Sequence, residues 1–173
     1  MKALKVLVAV VASLFSLPLL AQKQPIQTPS ACGDLEVAIS VHLDKSQHGV
    51  SQPDTGKALV YFIQDAGISG STETTRIGID GKWVGANRSR SSFSVLVDPG
   101  EHHLCASTSE LIFRGTPVTL AHLIAEPGKT YFYQTKIDYW KDTPEYLDLE
   151  PVDSDEAKFL IESHPMATAT AKK

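Results

Sequence analysis

The 173-residue sequence has little of what most recognisable chemistry requires. It holds two cysteines, Cys32 and Cys105, and no CxxC pair, so no knuckle clamps a metal ion in the manner of a zinc finger. No GxSxG elbow raises a serine nucleophile, and the serines gather in polar stretches such as "SRSS". The glycines of "GISGS" lack the lysine and helix that follow a phosphate-cradling loop. No basic block interleaves with aromatics. Lysine and arginine number 16 against 20 acids, for a formal charge of −4, which leaves nucleic acid a poor candidate partner. None of these patterns points to an enzyme, and no cofactor is expected.

One long apolar run is present, at the amino terminus. In "MKALKVLVAVVASLFSLPLLAQKQ", Lys2 and Lys5 form a charged start, Val6 to Leu20 an apolar stretch, and Ala21 a small residue suited to cleavage. This is the pattern of a secretory signal peptide over residues 1–21. Val6 to Ala21 is 16 residues, broken by Ser13, Ser16 and Pro18, and falls short of the ~20 that a spanning helix needs. Export to the periplasm or the exterior is therefore expected, with no membrane span after cleavage. Loss of Lys2 and Lys5 leaves 14 cations against 20 acids, or −6.

The remaining 152 residues suit one domain. Residues 22–33 read as a flexible polar lead-in, 34–164 as the domain, and 165–173, ending in "MATATAKK", as a loose tail. Cys32 invites comparison with a lipid-modified cysteine. Ten residues, Gln22 to Ala31, separate it from the apolar run, and Pro29 stands where an aliphatic residue belongs, so lipid anchoring at Cys32 is not expected.

In an exported chain, two cysteines 73 positions apart are expected to pair as a disulfide. Closing that loop is worth ~3 to 5 kcal/mol in the chain-entropy model. The alternative is a zinc or copper site built on Cys32, Cys105 and His103, for which no fourth ligand is placed.

Along the domain the dominant period is two. "LEVAISVH" puts Leu35, Val37, Ile39 and Val41 on one strand face, and "ALVYFIQ" is apolar on both faces, as in a central strand covered on two sides. Asp80-Gly81 between "RIGI" and "KWVGA" marks a tight hairpin. Two further corners share one plan: "LVDPGEHHLCA" and "LIAEPGKTYFY" each place Pro-Gly between alternating runs. Proline fixes φ at the first central turn position and glycine admits positive φ at the next, so each corner is expected to reverse the chain between antiparallel strands. Only "VDSDEAKFLIESHP" looks helical, with Asp153 and Glu156 at capping-box spacing and Ala157, Leu160 and Ile161 as an apolar stripe. The expected fold is all-β, an antiparallel sandwich of about seven or eight strands with one carboxy-terminal helix.

The segments "KALVYFIQD", "RIGIDGKWVGANR", "FSVLVDPGEHHLCAS", "AHLIAEPGKTYFYQTKI" and "DSDEAKFLI" resemble a family of bacterial exported proteins catalogued as domain of unknown function 2846. The likeness runs from Lys57 to Ile161. Its middle part, a strand, a "DGK" turn, a strand and then "PGEH", also resembles the small PEGA β-modules of cell-surface proteins. The resemblance implies an exported all-β domain with no established reaction, so it brings no catalytic residues. Many relatives resemble lipoproteins, which the spacing before Cys32 does not match.

Two groups of side chains remain as candidate chemistry. His102 and His103 are adjacent and point to opposite strand faces, so they do not share an ion; one is expected at the surface and the other half-buried. Tyr131, Phe132, Tyr133, Tyr139, Trp140 and Tyr146 crowd into 16 residues. If Phe132 faces the core, Tyr131 and Tyr133 point outward, and with Tyr139 and Trp140 they would offer an aromatic surface to an envelope protein or a glycan; the favoured alternative is that the rings simply cover one sheet under the "DYWKDTPEY" loop. The leading expectation is a non-catalytic binding module of the cell envelope or exterior. Its rival is a metal-binding or enzymatic domain centred on His103 and Cys105.

Overall fold

The computed structural model describes residues 29–34, 37–65, 73–108, 118–140 and 143–171. The expected signal peptide and most of the lead-in lie outside the described residues. In chain order the elements are β1 (Ile39–Asp44), β2 (Ala58–Gln64), β3 (Thr74–Ile79), β4 (Lys82–Arg88), β5 (Ser91–Val97), β6 (Gly100–Thr108), β7 (Val118–Ala125), β8 (Thr130–Trp140), β9 (Thr143–Pro151), α1 (Ser154–Ser163) and β10 (Met166–Ala171). A six-stranded sheet, in the order β1-β10-β5-β2-β8-β9, packs against a four-stranded sheet, in the order β4-β3-β6-β7. The all-β sandwich with a carboxy-terminal helix is as expected. Among the described residues it has ten strands rather than seven or eight, and two pairings, β2 with β8 and β10 with β5, are parallel.

Strand β2 is the centre of the larger sheet. Ala58, Val60 and Phe62 face the smaller sheet in the main core, and Leu59, Tyr61 and Ile63 face α1 in a second core. A strand apolar on both faces is stable only where both are covered. Here the helix supplies the second cover. Each large side chain so buried contributes about 1.5 to 3 kcal/mol. Helix α1 lies against β2 and β8 because its stripe is Ala157, Leu160 and Ile161, all buried. Its start is fixed by Asp153, whose carboxylate accepts from the backbone N–H of Asp155 at 2.9 Å and of Glu156 at 3.1 Å.

The Asp80-Gly81 hairpin joins β3 to β4, with φ of 50° and 83° at its two central residues. The Pro-Gly corners do something else. The corner at Pro99-Gly100 carries the chain from β5 in the larger sheet to β6 in the smaller one, and that at Pro127-Gly128 carries it back from β7 to β8. Neither closes a hairpin within a sheet. At both corners the chain crosses between layers, and the second crossing is tied to the start of β2 by Gly128 N–H to Lys57 O at 2.8 Å and Leu59 N–H to Lys129 O at 3.0 Å.

Two expectations about order are corrected. The segment expected as a loose tail, 165–173, contains β10, which pairs antiparallel with β1 from Ile39↔Ala171 to Asp44↔Met166. Its small side chains carry weak strand preference, and its place beside β1 and β5 supplies the backbone partners. The lead-in expected to be flexible through Gly33 is fixed from Pro29 onward. Ala31 and Cys32 are buried at 5% and 6% exposure, and Gly81 N–H donates to Ala31 O at 3.1 Å. Among the described residues no helix is long and apolar enough to cross a membrane.

Candidate functional site

Strand β6 sets two environments by alternation. Leu104 and Ala106 point into the main core, while Glu101, His103 and Cys105 point to the outward face of the smaller sheet. On that face Cys105 is bonded to Cys32, with Cα atoms 5.2 Å apart. The disulfide holds the segment around Ala31 and Cys32 as a strap across β3 and β4. Gly78 lets the strap's backbone come close, since a Cβ there would meet Ala31 O. Trp83 packs over Gly33, its indole Nε1–H donates to Asp34 O at 2.6 Å, and the Arg76 guanidinium lies 4.8 Å from its ring centre.

The metal centre considered from Cys32, Cys105 and His103 does not form. Both sulfurs are spent on each other, and Cys105 is fully buried while the His103 side chain is 63% exposed. His103 has other neighbours instead. It stands directly opposite His122 in the β6–β7 register, with ring centres 5.5 Å apart and planes at 68°. Glu101 Oε1 lies 2.9 Å from His122 Nε2 and 3.9 Å from His103 Nε2. Leu120 and Ile124 flank His122 on β7 and are 55% and 67% exposed. His122 was not singled out in the sequence. Its signal is the alternation of "VTLAHLIA", which puts it on a strand, and the register that brings it to His103 cannot be read from either strand alone.

His102 and His103 divide as expected, His102 half-buried and His103 at the surface. His102 is the structural one of the pair. Its Nδ1 lies 2.7 Å from Asp80 Oδ2 and its Nε2 2.8 Å from Asp98 O, while the other oxygen of Asp80 accepts from His103 N–H at 2.9 Å. Partial burial acts to lower the His102 pKa, but the bonds to Asp80 and Asp98 and their charges outweigh it and hold the pKa above its ordinary value.

At Tyr131 and Tyr133 the rings cover the sheet, as the favoured reading has it, and do not form an outward aromatic surface. Tyr133 is buried at 6% exposure, stacks 6.1 Å from Phe62, and donates its hydroxyl to His122 O at 2.9 Å. Burial pushes its pKa up, helped by Tyr131. Tyr131 is half-buried against the same core, and its hydroxyl accepts from Glu126 N–H at 2.9 Å. The inference that Phe132 inside means Tyr131 and Tyr133 outside fails because β8 is covered on both faces: Phe132 packs in the helix core and the tyrosines in the sandwich core. Tyr139 and Trp140 end β8, opposite Pro144 and Thr143, and their side chains lie outside the described ones.

At the opposite edge of the smaller sheet, a cleft of about 330 Å³ lies between β4 and the β1–β10 pair, lined by Val37, Ile39, Trp83, Val84 and Ala169, with Asp34 and Lys82 as its charged residues. It is separate from the Glu101, His103 and His122 cluster. Comparison of the chain with protein-family models, curated proteins and solved structures gives no match.

Proposed function

We propose that the protein is an exported, non-catalytic binding module that engages a protein partner through the outward face of β6 and β7. The observation that carries this reading is the pair Leu120 and Ile124, more than half exposed on an edge strand paired along its full length with β6. Aliphatic side chains on a fixed backbone favour a protein surface over a glycan, for which the buried Tyr133 offers no stacking platform. The signal-peptide pattern, the resemblance to an exported bacterial family and the cysteine pairing support an oxidising compartment. Since the Cys32 sulfur is bonded to Cys105, a free rather than lipid-anchored mature chain is the consistent form.

The test combines fractionation of the tagged full chain with photo-crosslinking from position 103, exposed on the same outward face. Export with oxidised cysteines and a defined crosslinked protein is expected, together with loss of that product in the Leu120→Asp/Ile124→Asp variant at unchanged circular dichroism. A cytoplasmic, reduced chain, or crosslinking that survives the double substitution, would overturn the reading.

A further inference from the structure

We infer that Glu101, His103 and His122 form a binding site for one divalent transition-metal ion of the zinc class. The site goes beyond the partner-binding reading and needs no partner to fill it. Two imidazoles and a carboxylate are a donor set suited to zinc, leaving a fourth position for water. Their ligand atoms already lie within 4.8 Å of one another. With zinc–nitrogen and zinc–oxygen bonds near 2 Å, tetrahedral ligands stand ~3.4 Å apart, so each donor need move only on the order of 1 Å. All three side chains have the surface freedom to do so, being 49% to 64% exposed.

The backbone beneath them is much less free. Glu101 and His103 share a face of β6 at spacing two, and His122 is fixed opposite His103 by the β6–β7 ladder. From the other sheet, the Tyr133 hydroxyl holds the His122 carbonyl at 2.9 Å, and the disulfide anchors β6 two residues beyond His103. With the backbone already ordered by strand pairing, an arriving ion has only the three side chains to fix. A simple surface ion pair accounts for Glu101 with His122, but it gives no reason for His103 Nε2 to converge on the same carboxylate oxygen. In the filled site each imidazole gives its Nε2 lone pair and keeps one proton on Nδ1; the hydrogen between His122 Nε2 and Glu101 Oε1 passes to Nδ1 by way of water, or is released to water where Nδ1 already carries one. No redox change is involved.

The test is isothermal titration of the purified, disulfide-closed mature protein with zinc chloride, with cobalt(II) absorption as a second readout. One ion per chain is expected. His103→Ala and His122→Ala should each weaken binding by at least about tenfold, the scale seen when a ligand's support is removed, with Glu101→Gln weakening it in the same direction. His48→Ala, a histidine elsewhere on the molecule, should leave binding unchanged. Because the three side chains are exposed, the variants should keep the parent circular dichroism. Absence of saturable binding up to zinc concentrations on the order of 1 mM, or binding that survives both histidine substitutions in folded protein, would overturn the site whatever the outcome of the partner experiment.

Discussion

The carboxylate of Asp80 lies 2.7 Å from the ring of His102, so the tip of the β3–β4 hairpin is fastened to the corner where the chain enters β6. Each partner shifts the other's titration. Burial opposes ionisation of Asp80, yet its bonds to His103 N–H and His102 hold its pKa below the usual 3.8, while His102 is held above 6.5. A raised histidine pKa contributes stability that is full below pH 6.5 and lost as pH rises through the folded value. A lowered carboxylate pKa contributes stability that is full above pH 3.8 and lost as pH falls through the folded value. Asp80→Asn should therefore lower the melting temperature most between those two limits, with the difference from the parent narrowing as pH rises past the His102 pKa. Thermal unfolding across that range is the measurement, and a difference independent of pH would refute the coupling.

His164 should act with the opposite slope. It follows α1, is buried at 4% exposure, and has its pKa lowered by burial, with Asp65 at 3.7 Å opposing and Arg90 adding to the shift. In the unfolded chain it takes up a proton below about pH 6.5 that the folded chain resists. Stability should fall as pH drops through that region, and His164→Gln should flatten the fall. Urea midpoints for His164→Gln and His102→Gln at several pH values should show slopes of opposite sign against the parent.

The strap offers a third test. Cys32→Ser with Cys105→Ser opens a loop of 73 residues and should cost about 4 kcal/mol in unfolding free energy. Trp83 packs on Gly33 and bonds Asp34, so release of the strap should also shift its fluorescence to the red before global unfolding. A Trp83→Phe background should remove that early shift. Coincident transitions in the reduced parent would show that the strap is not separately held.

Gly85 of β4 and Phe93 of β5 report on how closely the two sheets approach. A Cβ on Gly85 would run into the Phe93 ring, which stacks at 5.4 Å on Phe62 in the core. Gly85→Ala should cost about 1 to 3 kcal/mol by overpacking. In a Phe93→Leu background the same change should cost less, since the smaller side chain vacates the contact. Chemical denaturation of the four variants gives the coupling directly.

What was legible in the sequence was whatever depended on local geometry. The two apolar faces of "ALVYFIQ", the Asp80-Gly81 turn, the Asp153 cap and the paired cysteines each state their role within a few residues or by their number. What was not legible depended on which layer a strand enters. A Pro-Gly corner has the same local dihedral preferences whether its flanks share a sheet or lie in facing ones, so Pro99 and Pro127 read as hairpins. Alternation at Tyr131, Phe132 and Tyr133 separates two faces without saying how many are covered. The same ambiguity hid the candidate site: His103 was visible, but its partner His122 emerges only from the β6–β7 register.

The pairing of β1 with β10 joins the earliest described strand to the latest. As the chain is synthesised, β1 emerges long before its neighbour exists, and the larger sheet stays open along that side until "MATATA" follows. Completion of that sheet is thereby deferred until β10 is made, so a chain halted before it would present unpaired strand edges to whatever chaperone or protease attends it.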